Sequence, residues 1–194
     1  LTGQFLPLAA ALLAAISSAA SAQDDAARGK LKAAACVSCH GADGNASAAN
    51  TPSLAAQPEM YLQLQLVLFR EMQRIVPEKT AVVAKLSDTA IEDIAAYFTA
   101  QPAKPANTER DPVRSAQGRE LGERMHCNDC HTPSYAGANQ VPRLAGQRED
   151  YLVKSMKDYR DGRRRGLDGS KRATLRGMSD EQIEALAHFL SLLK

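Results

Sequence analysis

Apolar positions along the chain fall into two kinds of pattern. The first is a stretch without charge. Leu1 to Ala22 holds no charged residue, its apolar run Leu6 to Ile16 is too short to span a bilayer comfortably, and small residues follow to Ala22. That arrangement is a secretory signal peptide over residues 1–22, cleaved before Gln23. The second kind has helical period. Ile91, Ile94, Ala95 and Phe98 fall on one face behind Ser87, a residue suited to cap a helix. Ile183, Leu186, Ala187 and Leu190 repeat the stripe behind Ser179, with Gln182 placed to complete a capping box. The pattern predicts further helices near 25–35, 59–71, 113–125 and 148–161. Alternating Val-rich runs are absent, so the sequence predicts an all-α protein without a sheet.

These elements are one unit written twice. Cys36-Val-Ser-Cys39-His40 recurs as Cys127-Asn-Asp-Cys130-His131, 91 positions on. Pro52-Ser-Leu54-Ala-Ala-Gln57 recurs as Pro142-Arg-Leu144-Ala-Gly-Gln147, 90 on. Leu86-Ser87-Asp88 with Ile91 recurs as Met178-Ser179-Asp180 with Ile183, 92 on. The stretch 102–112 holds three prolines and no apolar period, and reads as a linker. The organisation is therefore 1–22 signal, 23–101 first domain, 102–112 linker and 113–194 second domain. A helical unit of about 80 residues with long loops needs a staple to be stable.

The repeated Cys-x-x-Cys-His supplies one, because this spacing is the attachment signature of c-type haem. Two intervening residues set both sulfurs at the spacing of the haem vinyl groups, and each thiol adds across a vinyl to give a thioether. The next residue, His40 or His131, then lies under the iron as proximal ligand. Zinc would want two more ligands per site. A redox Cys-x-x-Cys wants a βαβ setting. A disulfide has no use for the following His. Two haem c groups thus take up all four cysteines.

The chain resembles the class I cytochromes c, in particular the two-haem, two-domain carriers of the cytochrome c4 type. The resemblance covers residues 25–194 and rests on the two Cys-x-x-Cys-His motifs, the Pro-x-Leu-Ala-x-Gln segments, the Tyr61-Leu62 and Tyr151-Leu152 helix starts and the closing amphipathic helices. It implies two tandem domains, each of a few short helices around a covalently bound haem. It also implies that Pro52 and Pro142 present carbonyls that orient His40 and His131, in line with the tuning of metal ligands by their other ring nitrogen. The first and last helices of each unit are expected to cross closely, at Gly29 and Ala95 and at Gly118 or Gly122 and Ala187. Arg74 and the run Arg163–Arg165 fall in loops that border the haem in the family.

The distal side departs from the resemblance. The family's usual Met slot, seven residues before Leu86 and before Met178, holds Lys79 and Lys171. Four assignments stay open: the two lysines as neutral amines, Met72 for the first haem, Met178 for the second, or water. Met60, Met125 and Met156 read as packing residues, and His188 as a surface residue. A methionine ligand raises the reduction potential and a nitrogen donor lowers it.

Charge and composition refine this picture. The chain carries 24 Lys+Arg against 22 Asp+Glu, so nothing points to nucleic acid. Residues 23–100 hold 7 basic and 9 acidic side chains, and residues 101–194 hold 17 and 13, which makes the second domain the expected docking face for an acidic redox partner. Aromatics are only 5% and Trp is absent, a poverty that fits cores built around a large flat cofactor. The implied protein is an exported, periplasmic electron carrier without a transmembrane anchor after cleavage. The alternative is a haem enzyme, or the electron-transfer subunit of an oxidoreductase acting on a small anion.

Overall fold

The computed structural model describes residues 27–106, 108–165 and 169–194. The signal-peptide expectation for residues 1–22 lies outside them. Helix α1 (residues 27–32) runs into a 3-10 turn, Ala33–Cys36, and then α2 (Val37–His40). It is followed by α3 (Glu59–Arg70), α4 (Pro77–Val83) and α5 (Asp88–Thr99). The second half repeats the order with α6 (Pro112–Arg124), α7 (Cys127–His131), α8 (Glu149–Arg160), α9 (Ser170–Leu175) and α10 (Asp180–Ser191). Among the described residues the only β pairing is an isolated bridge, Ala138 to Val141.

Local chemistry explains these limits. The Ser87 hydroxyl accepts from the Ala90 N–H at the start of α5. Ser179 and Gln182 close the capping box of α10. Asp111 caps α6, and Pro112 takes the first helical position, where a missing N–H costs nothing. Helix α6 therefore begins inside the stretch read as linker. Helices α4 and α9 fall where the residues show no periodic signal. They are only seven and six residues long, too short for an amphipathic stripe to register.

Each half has its own core. Ile91, Ile94, Ala95 and Phe98 of α5 are buried with Ala33 and Leu62, and α5 packs on α3. Ile183, Leu186, Ala187 and Leu190 of α10 are buried with Leu121, Leu152 and Met178, and α10 packs on α6 and α8. Met125 and Met156 line the second core, but Met60 is about half exposed and packs no core. Cys36 and Cys127 sit at the rims of the two clusters, where a haem joined to them would extend the apolar surface.

The helix crossings use glycine, with a different partner from the one expected. A Cβ on Gly29 would lie 1.8 Å from the Asp93 carbonyl oxygen, and one on Gly118 would lie 2.0 Å from that of Ala185. The contacts thus fall two residues before Ala95 and Ala187. Gly122 instead faces the Tyr135 hydroxyl. Backbone oxygens cannot yield as side-chain ends do. Gly118→Ala should therefore cost about 3 kcal/mol or more, as overpacking against a rigid neighbour does. Gly169→Ala, with nothing within 4 Å of the added methyl, should stay within about 1 kcal/mol of the parent. Denaturant unfolding of the two variants measures the contrast, and equal midpoints would remove the close crossing as its cause.

Candidate haem sites

Each site is built from a helical turn and a loop that the backbone holds at a fixed distance. Cys36 ends the 3-10 turn and Cys39 and His40 close α2, so both sulfurs and the imidazole share about one turn. In the second half Cys127, Cys130 and His131 occupy α7. The chain leaves each His through a left-handed residue, Gly41 at φ 78° and Thr132 at φ 69°. The latter is an unusual conformation for a β-branched residue.

The facing loop is pinned by matched hydrogen bonds. The Gly44 carbonyl accepts from the N–H groups of Leu54 (2.7 Å) and Ala55 (3.1 Å). The Tyr135 carbonyl accepts from those of Leu144 (2.8 Å) and Ala145 (3.1 Å). Further along, Ala56 N–H donates to Phe98 O at 3.1 Å and Gly146 N–H to Leu190 O at 3.0 Å, which ties each loop to its last helix. The result is a proline carbonyl held before each imidazole. His40 Nδ1 lies 2.8 Å from Pro52 O, and His131 Nδ1 lies 2.9 Å from Pro142 O. A carbonyl only accepts, so Nδ1 carries the proton in both rings and Nε2 keeps its lone pair for a metal.

Electrostatics favour that neutral state. Burial, then the nearby Lys79 ammonium, bring His40 down to about 4 against the opposing pull of the Pro52 bond. Burial lowers His131 in the same way, with Lys171 contributing, again against the pull of the Pro142 carbonyl. The four cysteines form no disulfide. Burial pushes the Cys36 and Cys127 thiols up as long as no haem is joined to them. Among the described residues no three His, Cys, Asp or Glu side chains converge as a metal cluster, which leaves the zinc alternative without ligands.

The distal candidates separate. Lys79, on α4, brings Nζ to 2.6 Å from His40 Nε2, the ring nitrogen that the Pro52 bond leaves free. Lys171 lies on α9, near enough to His131 for its charge to act on the ring. Met72 is 58% exposed, in a left-handed turn after α3. Met178 is buried in the second core, at the position where Leu86 packs in the first half.

Two half-buried arginines lie between the halves. The Arg164 Nη1 donates to the Tyr151 hydroxyl (3.1 Å) and the Ser155 hydroxyl (2.5 Å), and its Nη2 to Tyr61 and Gln65 of the other half (3.4 Å each). Arg74 donates to the Gln65 side-chain oxygen at 2.5 Å. Burial alone would raise the Tyr151 phenol, but the Arg164 and Arg74 charges bring it down to about 7. Arg143 Nε and Arg164 Nε have no hydrogen-bond partner, and no carboxylate pairs with Arg74 or Arg164 among the described residues. A buried cation left without an anion is costly, and the carboxylates of a haem fit that lack. Arg163, next in sequence, is spent on Asp158 and Asp161.

The comparisons with known proteins agree with this geometry. The cytochrome c family model matches residues 115–194. Cytochrome c4 of Pseudomonas aeruginosa is 38% identical over 182 residues, covering 88% of this chain and 90% of that protein. The chain belongs to the cytochrome c4 family. The crystal structure of reduced cytochrome c4 from Pseudomonas stutzeri superposes with a TM-score of 0.79 at 35% identity, over 87% of this chain and 98% of that one. A thiosulfate dehydrogenase electron acceptor of Thiomonas intermedia is 33% identical over 97% of this chain and 93% of its own length. As a member of the cytochrome c4 family the chain is a dihaem c-type electron carrier and not an enzyme, with two covalently bound haem c groups.

Two readings of the sequence change. His188 is 1% exposed and belongs to the interior. Its Nε2 accepts from the Asp111 N–H at 3.0 Å, and its Nδ1 donates to the Glu149 carboxylate at 3.1 Å, so neither nitrogen is left for iron. Its place in the repeat offered no hint, because Ala96 holds the matching position. Gln57 and Gln147, noted only as repeat markers, turn out to bridge the two halves. Their recurrence 90 residues apart was the available signal. His188→Ala removes two buried hydrogen bonds and should cost about 2–3 kcal/mol in denaturant unfolding. It should leave the visible spectrum of both haems unchanged, and an altered spectrum would return His188 to the ligand candidates.

Proposed function

We propose that the chain is a periplasmic carrier of two domains, 23–101 and 113–194, joined by the stretch 102–112 and released from a signal peptide at 1–22. Each domain carries one haem. Cys36 and Cys39 attach the first and Cys127 and Cys130 the second. His40 and His131 bind the irons through Nε2, and Pro52 and Pro142 hold the rings through Nδ1. Lys79 and Lys171 are the distal ligands. Arg74 and Arg164 meet the haem carboxylates between the halves. What supports the ligand assignment is that Lys79 Nζ lies on the Nε2 side of His40, the ring nitrogen left free by the Pro52 bond, in direct contact at 2.6 Å, so the two would have to part to hold a metal between them.

A haem iron supplies reversible one-electron chemistry by passing between its ferric and ferrous states. The protein's residues decide where that exchange is poised. A proton held on Nδ1 by a carbonyl makes the imidazole a stronger donor. Lysine ordinarily loses its proton near pH 10.4, so the amine binds only when iron displaces that proton. A second nitrogen in place of a thioether holds the potential below that of a His/Met relative. The half-buried Arg74 and Arg164 act in the opposite sense, since positive charge favours the added electron.

Docking of an acidic partner on the second domain depends on few groups. Lys154, Lys157, Arg160 and Arg163 are paired with Asp158, Asp161, Asp180 and Glu184. Among the described residues, exposed Arg110, Arg119, Arg165, Arg172, Arg176 and Lys194 remain as the contacts offered to such a partner. Among the described residues no helix is long and apolar enough to cross a membrane. The similarity to a thiosulfate dehydrogenase electron acceptor favours one further reading, in which the donor is an enzyme that oxidises a small sulfur anion.

The ligand assignment predicts that the oxidised protein lacks the weak near-red absorption of a Met-to-ferric-iron bond in both domains. Lys79→Met should create that band in the first domain and raise the potential of its haem. Lys79→Ala should change the spectrum of that domain alone. A wild-type protein that already shows the band for two haems would exclude both lysines.

A further inference from the structure

The same two peptide groups that hold the histidines also carry the contact between the halves, and the contact is crossed. In the first half the Pro52–Ser53 peptide accepts from His40 Nδ1 through its carbonyl (2.8 Å). Through its N–H it donates to Gln147 Oε1 of the other half (2.8 Å). In the second half the Pro142–Arg143 peptide accepts from His131 Nδ1 (2.9 Å) and donates to Gln57 Oε1 of the first half (3.0 Å). Each glutamine is fixed in that sense by its other end. Gln147 Nε2 donates to Ser53 O at 2.8 Å, and Gln57 Nε2 donates to Arg143 O at 2.9 Å. Both side chains are buried, at 4% and 5% exposure.

A peptide group is one conjugated dipole. An acceptor on its N–H makes its carbonyl oxygen more negative, and hydrogen bonds in such a chain strengthen one another. A stronger carbonyl draws the Nδ1 proton further, so the imidazole donates more to the atom bound at Nε2. We propose that Gln57 is a positioning and tuning residue for the haem of the second half, and Gln147 for that of the first. Each half thereby sets part of its neighbour's potential through the chain Gln Oε1, peptide N–H, Pro carbonyl, His Nδ1. The inference rests on the reading of His40 and His131 as the iron ligands. It adds that the link between the halves works on those ligands and does more than join two cores.

The reciprocal follows from linkage. A ferric iron makes the Nδ1 proton more acidic and so tightens the whole chain out to the glutamine of the other half. Reduction of one haem relaxes its grip on the neighbouring half.

The test uses the dihaem holoprotein and two substitutions of each glutamine. Met keeps the length and abolishes the hydrogen bonds, and Glu keeps an acceptor on the peptide N–H and adds charge. Potentials are measured for each haem separately, the two being told apart by NMR contacts between haem substituents and residues of each half. Gln57→Met should raise the potential of the second-half haem and leave that of the first in place. The expected size is about twofold in the reduced-to-oxidised ratio at fixed potential, or about 18 mV at 59 mV per tenfold for one electron. Gln57→Glu should lower the same haem. Gln147→Met and Gln147→Glu should do the same to the first-half haem. A purely structural role would move the two substitutions together, or move the haem of the mutated half, and either result overturns the proposal.

Histidine labelled with 15N separates the two layers of the argument. In the ferric protein the His40 and His131 nitrogens should resonate far outside the diamagnetic range, and the Met variants should shift the ring of the opposite half. Strongly shifted nitrogens that ignore the variants overturn the crossed tuning alone. Unshifted His40 and His131 nitrogens in the wild type overturn the ligand reading, and the crossed tuning with it.

Discussion

The structure depends on one hydrogen bond made twice, from a buried imidazole Nδ1 to a proline carbonyl. It decides the tautomer of His40 and His131, and the tautomer decides that Nε2 is the nitrogen open to a metal. The surrounding backbone serves that bond. The Gly44 and Tyr135 carbonyls anchor the proline loops from one side, and the last helix of each half anchors them from the other. The glycine crossings at Gly29 and Gly118 in turn bring the first helix, and the Cys-x-x-Cys-His turn behind it, down onto that last helix.

Because the proline peptides have a second polar end, the contact between the halves could be built on the same groups. Gln57 and Gln147 use it reciprocally, so the pair obeys an approximate twofold relation. Beside it the halves hold half-buried Arg74 and Arg164 near tyrosines, with no carboxylate paired to either among the described residues. Under the proposed function the carboxylates of the two haems would answer that imbalance. Membership of the cytochrome c4 family explains a chain with 5% aromatic residues, whose two cores are completed by cofactors.

Much of this was legible in the sequence because it follows from short-range rules. The Cys-x-x-Cys-His turns, the Ser87 and Ser179 caps and the α5 and α10 stripes each needed only local spacing or a repeat, and the Pro52 and Pro142 contacts came from the resemblance to a family. What escaped needed three dimensions. Helices α4 and α9 are too short to show a period. His188 looked like a surface residue because its partners, Asp111 and Glu149, lie 77 and 39 positions away. The glycine partners fell two residues from the expected alanines, because a motif reports that helices cross but not the register of the contact. The basic excess of the second half looked like a docking face, yet acids on α8 and α10 already pair with much of it.

The central claim is that the His clamp aims each Nε2 at iron with a lysine nitrogen on the other side. X-ray absorption at the iron edge of the oxidised dihaem protein tests it most directly. The account predicts a first shell of nitrogen alone around both irons. A sulfur neighbour bound to either iron would contradict it.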